Sequence, residues 1–293
     1  MDAESAGDGP QQSADWEARY RAASRALSDT ATMASATSEV HRVAGHEGAT
    51  LRFIQGLPEL RAQRPDRIVV FSGSFNPLTM AHIGLVETAL ATGYNAAVWL
   101  LPAASIDKER VIRGALVDRL AQMRSYVLTT RRQSLALVNR GLYYEQARLL
   151  HRVFRDAEIA LLVGFDKVPQ IFDAGYYRDR DAALRALFLH ARLLVAPRAG
   201  AGNADLAELL GRPENAPFAP FVKFLPIPPE LAEESSTAAR AAASAGRAGK
   251  LRELVPPESV ALAETGAYDA EGGVPNRSRY AQRLAWLRTL EQG

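Results

Sequence analysis

The chain contains no cysteine in its 293 residues, and this absence removes several classes of chemistry at once. Without thiols the chain forms no disulfide, zinc ribbon or iron–sulfur cluster and has no thiol nucleophile. Its five histidines include no HExxH pair, so no metal site held by the protein itself is expected. Its chemistry therefore has to rest on hydroxyl, imidazole, carboxylate and guanidinium groups.

A surplus of one charge is also missing. The 35 basic residues nearly balance the 33 acidic ones, which gives a net charge of +2, and only four of the basic residues are lysines. These totals do not indicate a basic surface for nucleic acid, so no nucleic-acid partner is expected.

Long apolar runs are absent as well. Runs such as residues 159–163 are far too short to cross a bilayer, so no membrane association is expected. The first residues are acidic and lack the basic-then-apolar order of a signal peptide. Together these features predict a soluble protein of the cytoplasm.

Residues 1–66 are predicted to form an N-terminal appendage of unknown task. Residues 1–13 are small and polar, which is typical of a disordered tail, and residues 28–38 indicate a linker or weak helix. Between them, four apolar residues recur at helical spacing and predict one amphipathic helix: Trp16, Tyr20, Ala23 and Leu27.

Residues 67–230 show short apolar runs that alternate with helical stretches. Strands that are apolar on both faces and alternate with helices predict an α/β fold with a doubly wound parallel sheet. The predicted strands are residues 68–71, 96–101, 135–138, 159–163, 193–196 and 221–225. Residues 231–293 show no further strand and predict a C-terminal helical region.

The first predicted strand runs into the turn GSFNPLTMAH at residues 73–82, which is neither a GxGxxG loop nor a P-loop. Ligands of open parallel sheets bind at the carboxyl ends of strands. Thr79 and His82 are three residues apart at the start of the next helix, so they share a face where the free N–H groups attract anions. The turn therefore predicts a phosphate site; the competing interpretation makes His82 a core histidine bonded to a neighbour.

This turn resembles the first signature of the cytidylyltransferase-like nucleotidyltransferases, and within them the nicotinate/nicotinamide mononucleotide adenylyltransferase family, whose eukaryotic members have GSFNPxTxxH. The resemblance implies a Rossmann-like nucleotidyltransferase fold. It assigns the binding of ATP phosphates to Thr79 and His82, with His82 stabilising charge on the α-phosphate. Gly73, Ser74 and Phe75 belong to the implied ATP site through their backbone.

A second signature lies in the C-terminal region. The sequence SSTAAR at residues 235–240 resembles the family's SSTxxR, which opens a C-terminal helix. Hydroxyls at a helix start and an arginine one turn later suit a second anion site. The resemblance gives ATP-binding roles to Ser235, Ser236, Thr237 and Arg240, with Arg240 also counted as catalytic. The alternative is an N-cap followed by a solvated arginine.

Weaker matches lie between the two signatures. Asp166 stands in the place of the family's GxD, which contacts ribose and adenosine; its alternative is a helix N-cap. The acceptor side is assigned to Lys108, Phe172, Tyr176 and Arg198, of which Lys108 could equally be a surface lysine and Arg198 a structural residue. The family's pyridine-stacking tryptophan is absent, and Glu234 precedes the second signature where the family has a hydrophobic residue.

The resemblance covers roughly residues 67–270 and implies an adenylyltransferase of NAD biosynthesis. It would transfer AMP from ATP to nicotinate or nicotinamide mononucleotide, giving an NAD-type dinucleotide and pyrophosphate, with Mg²⁺ bound through the ATP phosphates. The sequence does not decide between the two pyridines, and it leaves self-association into a homo-oligomer open. The missing tryptophan motivates a second hypothesis, another phosphomonoester acceptor. Glu234 and residues 1–66 motivate a third, a nucleotide-binding protein without turnover.

Overall fold

The computed structural model describes residues 10–103, 114–198, 200–229, 231, 235–269 and 279–291. The strands are β1 (Leu51–Gln55), β2 (Arg67–Ser72), β3 (Ala96–Pro102), β4 (Gln133–Val138), β5 (Glu158–Gly164), β6 (Arg192–Ala196) and β7 (Val222–Phe224). The helices are α1 (Pro10–Ser28), α2 (Thr30–Ala44), α3 (Leu57–Gln63), α4 (Met80–Ala91), α5 (Leu116–Val127), α6 (Tyr143–Val153), α7 (Val168–Phe172), α8 (Arg180–His190), α9 (Asn203–Gly211), α10 (Ser236–Ser244), α11 (Ala248–Leu254), α12 (Pro257–Leu262) and α13 (Arg279–Leu290).

One seven-stranded sheet in the order β1-β4-β3-β2-β5-β6-β7 organises the fold. Strands β2 to β7 run parallel, which confirms the doubly wound α/β prediction. The chain builds outward from β2 on one side through β3 and β4, then returns to the other side with β5. The point where the strand order reverses therefore lies between β2 and β5, which is where open α/β sheets leave a crevice at the carboxyl ends of their strands.

The sheet is buried on both faces because alternate residues of each strand enter two different hydrophobic clusters. In β2, Val69 and Phe71 face a layer formed by α1, α2, α4, α5 and the C-terminal helices. Their neighbours Ile68 and Val70 face the layer formed by α6, α7 and α8. This two-sided burial is why the parallel strands could be recognised as uninterrupted apolar runs.

The N-terminal region departs from its prediction in three places. The predicted amphipathic helix is present as α1, but it already begins at Pro10, inside the predicted tail. The segment expected to be a linker or weak helix forms most of α2, which Asp29 caps. Strand β1, which no pattern predicted, pairs antiparallel with β4, so the sheet is mixed. Residues 1–9 lie outside the described residues.

The C-terminal helices pack back onto α5 through buried polar contacts. Asp118 of α5 is fully buried, and its carboxylate accepts hydrogen bonds from Tyr280 at 2.9 Å and from Arg283 at 2.6 Å. Tyr280 Oη also accepts a hydrogen bond from the backbone N–H of Ala115 at 2.6 Å. These contacts attach α13 to the start of α5. Within the described part of the chain, no helix is long and apolar enough to span a membrane.

Helix α1 is attached to α12 by one ion pair. Arg19 donates two hydrogen bonds of 3.0 Å to the two carboxylate oxygens of Glu258, whose side chain is 1% exposed. A paired carboxylate of this kind is tolerated in the interior because both oxygens are satisfied. The N-terminal helix is therefore part of the folded unit.

We expect Arg19→Ala to lower the free energy of unfolding by about 3 kcal/mol, because it leaves the buried Glu258 carboxylate without its partner. Arg21→Ala is the matched control on the same helix, since Arg21 pairs with Glu17 where both side chains are largely exposed. It should change stability by less than about 0.5 kcal/mol. Urea unfolding of both variants measures the difference, and equal effects would contradict the role given to Glu258.

Candidate active site

The candidate site lies at the carboxyl edge of the sheet, at the point where the strand order reverses. Strand register pairs Phe71 of β2 with Leu162 of β5, so Gly73 and Gly164, each two residues further on, reach this edge at the same level. Strand β6 ends beside them, because Ala196 pairs with Gly164. The fold thus brings the turn at residues 73–79 and the segment at residues 164–166 together, as their positions after predicted strands indicated.

Thr79 and His82 form a capping box at the start of α4. Thr79 is the N-cap: its hydroxyl accepts a hydrogen bond from the His82 backbone N–H at 3.3 Å. In return, the Thr79 backbone N–H donates to His82 Nδ1 at 3.0 Å, and the hydroxyl lies 2.9 Å from the same nitrogen. Because a backbone N–H only donates, Nδ1 is the accepting nitrogen and the ring proton lies on Nε2.

The imidazole of His82 is held between aromatic rings and stays neutral. The rings of Phe71 and Phe75 lie 5.6 and 5.5 Å from it, centroid to centroid. Burial, and to a smaller extent the positive charge of Arg198, lowers the pKa of His82 from its ordinary 6.5 to about 3. His82 is partly exposed, and Nε2 has no hydrogen bond to the described residues. The residue therefore offers one neutral N–H donor at the crevice.

The second signature meets the first in the folded chain. Ser236 Oγ donates to the carbonyl of Pro77 at 2.9 Å, and Arg240 Nη1 donates to the carbonyl of Asn76 at 2.7 Å. Arg240 is 8% exposed, and its Nη2 donates to Thr237 Oγ1 at 2.8 Å. The start of α10 is therefore fastened to the turn at residues 73–79, and the arginine is not a solvated one.

Ser235 is the N-cap of α10, since its hydroxyl accepts a hydrogen bond from the N–H of Ala238 at 3.2 Å. The N-cap alternative given for this signature therefore describes Ser235 but not Arg240, which is buried. The neighbouring Ser236 is half-buried and Thr237 is exposed at the same helix end. Within this signature, Ser235 caps the helix, whereas Ser236 and Arg240 hydrogen-bond to the turn.

Two further donors to the turn were not found from the sequence. Arg119 of α5 donates to the carbonyl of Ser74 at 2.7 Å, and Ser259 of α12 donates to the carbonyl of Leu78 at 2.9 Å. Both side chains are buried. Neither residue stands out in the sequence, because the buried part of α5 also carries Asp118 and Gln122, and Ser259 belongs to no motif.

The first part of the turn combines close packing with an unusual backbone conformation. Phe75 is buried and has a φ of 43°, in the left-handed region, so its ring packs inward while its backbone stays at the crevice. A Cβ at Gly73 would lie 3.0 Å from the Phe75 ring. Ser74 is exposed.

Asp166 lies in a single 3₁₀ turn, Phe165–Lys167, directly after β5. A Cβ at Gly164 would lie only 2.5 Å from Asp166 Oδ1, so the absence of a side chain there lets the carboxylate lie over the strand end. Asp166 is exposed and caps neither the 3₁₀ turn nor α7. Arg198 is the next neighbour, with its Cβ and Cγ 3.7 Å from the same Cβ position.

The structure describes three of the four residues predicted for the acceptor side, namely Phe172, Tyr176 and Arg198. Phe172 is buried in an aromatic cluster with Phe188 and Phe218, where the Arg180 guanidinium lies 5.8 Å from its ring centre. Its ring contributes to the hydrophobic core, and its predicted place in the acceptor wall stays a prediction. Tyr176 is half-exposed in the 3₁₀ turn Ala174–Tyr176.

Lys108 lies outside the described residues, so its predicted role stays a prediction. Arg198, also assigned to the acceptor, lies on the His82 and Gly164 side of the crevice. Among the residues that the structure describes, no group of three or more histidine or acidic side chains is placed to hold a metal ion.

No protein-family model and no curated protein matches this chain. Solved structures do. Plasmodium falciparum nicotinic acid mononucleotide adenylyltransferase complexed with NaAD is 15% identical, with a TM-score of 0.51, over 70% of this chain and 98% of that chain. The same enzyme complexed with APC is 14% identical, with a TM-score of 0.48 and the same coverage. The first of these likenesses establishes the Rossmann-like nucleotidyltransferase fold that the motifs predicted.

Nitrogen NMR of the imidazole tests the state of His82. We expect the free protein at pH 6 to show a neutral ring with the proton on Nε2, because burial disfavours the charged form. Since the unfolded chain takes up this proton near 6.5 and the folded chain near 3, His82 makes the fold lose stability as the pH falls from 6.5 towards 3.

Arg198→Leu gives the internal comparison for this measurement. Removing its charge should raise the pKa of His82 but leave it well below 6.5, because burial is the larger cause. An imidazolium signal at pH 6 in the unchanged protein, or a proton on Nδ1, would contradict the capping geometry.

Proposed function

We propose that this protein is an adenylyltransferase that joins ATP to a pyridine mononucleotide and releases pyrophosphate. The observation that carries the proposal is the neutral Nε2–H of His82, placed at the reversal point of the sheet beside the start of α4 and next to a turn held by Arg240. A fixed neutral donor beside a positive charge and free helix N–H groups suits a polyphosphate.

The reaction is a direct displacement at phosphorus. An oxygen of the acceptor's phosphate attacks the α-phosphorus of ATP, forming a P–O–P link, while the bond to the β-phosphate oxygen breaks and the electron pair leaves with pyrophosphate. Such catalysis depends on positioning and on stabilising charge on the transferred group. His82 donates its Nε2 hydrogen to an α-phosphate oxygen, whose charge grows in the transition state.

Thr79 and Arg240 act beside His82 in this proposal. Thr79 is the residue that holds the imidazole, because its hydroxyl and backbone N–H are both engaged with the ring or its backbone. Arg240 brings positive charge to the β- and γ-phosphates. Backbone N–H groups of the turn and of the α10 start complete the phosphate contacts, from Ser74, Phe75, Ser236 and Thr237.

Asp166 takes the ribose of ATP. Its exposed carboxylate at the end of β5 is a strong acceptor for sugar hydroxyls. Asp166 follows β5, which pairs with the strand that leads into the turn, and this neighbouring position supports the assignment.

In this proposal Mg²⁺ would be bound through the ATP phosphates and would neutralise part of their charge. The residues around the turn suit a metal-bound polyphosphate, because the start of α4 and the Arg240 guanidinium offer positive charge to its oxygens. The protein's part is to hold the phosphates with Arg240 and with backbone N–H groups.

The acceptor side is left to Lys108, Tyr176 and Arg198. The Plasmodium falciparum enzyme with the same fold was solved with NaAD, and this supports nicotinate mononucleotide as the first acceptor to test, beside nicotinamide mononucleotide. The second hypothesis, another phosphomonoester acceptor, is the alternative to test beside the pyridine mononucleotides. It is motivated by the burial of Phe172 and by the absence of a stacking tryptophan.

Pyrophosphate release with ATP, Mg²⁺ and each mononucleotide tests the proposal. We expect turnover with at least one pyridine mononucleotide and a loss of roughly 100- to 1,000-fold in kcat for His82→Ala, the usual cost of one preorganised donor. His41→Ala, on exposed α2 surface, is the control and should keep full activity.

Other outcomes of this assay decide between the hypotheses. Turnover only with a different phosphomonoester, or with CTP, would replace the acceptor or the nucleotide but keep the chemistry. Tight ATP binding without release from any acceptor would support a nucleotide-binding protein instead. Near-normal turnover of His82→Ala would refute the mechanism.

Gly164→Ala tests the position of Asp166. Its φ of −71° suits alanine, so the fold should be kept, but the new Cβ would meet Asp166 Oδ1 and displace the carboxylate. We expect the KM for ATP to rise about tenfold, the effect of one charge-assisted hydrogen bond. Gly211→Ala is the control, because a Cβ there meets nothing within 4 Å. Equal KM values for the two variants would remove Asp166 from the nucleotide site.

A further inference from the structure

We propose that Ser259 is a positioning residue of this site: its hydrogen bond to the carbonyl of Leu78 sets the direction of the Thr79 N–H and so holds His82 with Nε2–H toward the crevice. The catalytic half of this inference rests on the proposed function. The structural half concerns the free protein alone. Neither Ser259 nor its helix belongs to the motifs that pointed to the site.

The argument begins with one peptide plane. The carbonyl of Leu78 and the N–H of Thr79 belong to the same trans peptide group, so they point in opposite directions. The carbonyl accepts from Ser259 Oγ at 2.9 Å, while the N–H donates to His82 Nδ1 at 3.0 Å. Holding the oxygen on one side therefore fixes the hydrogen on the other.

No solvent is available to replace this contact. Ser259 and Leu78 are each 0% exposed. A buried carbonyl that loses its donor keeps the full cost of being unpaired, so the plane is driven to rotate in search of another partner. Such a rotation weakens the Thr79 contact to Nδ1, on which the tautomer of His82 depends.

The helix that carries Ser259 is itself held in place. The preceding residue, Glu258, receives both hydrogen bonds of Arg19 from the N-terminal helix. A contact path thus runs from α1 through α12 to the peptide before Thr79. Through these contacts, Arg19 of the N-terminal region supports the orientation of the peptide before Thr79.

The experiment compares Ser259→Ala with Ser134→Ala in the full chain. Ser134 is also 0% exposed, but its hydroxyl has no hydrogen-bond partner among the described residues, so it controls for the loss of a buried hydroxyl. We expect Ser259→Ala to speed amide hydrogen exchange of Thr79 about tenfold, the usual effect of one hydrogen bond. The Nδ1 resonance of His82 should move away from its hydrogen-bonded position. Ser134→Ala should change neither.

Kinetics supply the second readout. Ser259→Ala should lower kcat about tenfold with the KM for ATP changed less than about twofold, because a misplaced group costs rate more than ground-state binding. Ser259→Cys replaces the hydroxyl with a slightly larger thiol, which is only a weak donor, and should follow the alanine variant. It also serves as the folded comparison if alanine fails to fold.

Each result decides one part of the inference. Wild-type exchange at Thr79 and an unmoved Nδ1 resonance in Ser259→Ala would overturn the positioning role. Changed NMR signals with unchanged kcat would overturn its catalytic share. If the unchanged protein shows no turnover with any acceptor, the proposed function fails, while exchange and nitrogen shifts still judge Ser259.

Discussion

The site depends on one constraint: residues 75–79 of the turn are buried, and the carbonyl groups of the turn need donors that the turn cannot supply itself. Four side chains from three separate helices provide them, to the carbonyls of residues 74, 76, 77 and 78; the donors are Arg119, Arg240, Ser236 and Ser259. The last three lie 159 to 181 residues away along the chain. Of the peptide groups that carry these carbonyls, the one before Pro77 has no N–H, and the one before Thr79 donates its N–H to His82 Nδ1. The conformation of the turn is thus a product of tertiary packing, although its signature is a short local motif.

The helices at both ends of the chain follow from the same constraint. Helix α12 can present Ser259 only if Glu258 beside it is neutralised, and Arg19 of α1 does this. Helix α5 carries Arg119 next to Asp118, whose buried charge is met by Arg283 and Tyr280 of α13. In both cases a donor to the turn and a buried acid are consecutive residues on one helix. The terminal helices thereby support the turn at residues 73–79 indirectly, through α12 and α5.

The parallel strands and the turn could be predicted from the sequence. Strand β1, the packing of Phe172 and the contacts of Ser259 and Arg119 could not. The parallel strands are buried on both faces, so they appear as apolar runs, and the turn residues follow the first of them directly. Strand β1 is half-buried along its whole length, so it carries neither an apolar run nor a clear alternation. Phe172 follows the Gly164–Asp166 segment closely, which suggested a place in a substrate wall. Its ring packs against Phe188 and Phe218, and this contact could not be seen from the sequence. Ser259 and Arg119 owe their roles to partners far away in the chain, which no local pattern records.

The proposed nucleotide side and the proposed acceptor side of the site consequently differ in how many contacts fix their residues. On the nucleotide side, His82 is fixed by a helix cap, aromatic rings and a peptide plane held from behind, so a change there disturbs both packing and chemistry. On the acceptor side, Tyr176 is half-exposed in a single 3₁₀ turn, where substitutions cost little stability. Substitutions at Tyr176 should therefore cost less stability than substitutions in the turn at residues 73–79.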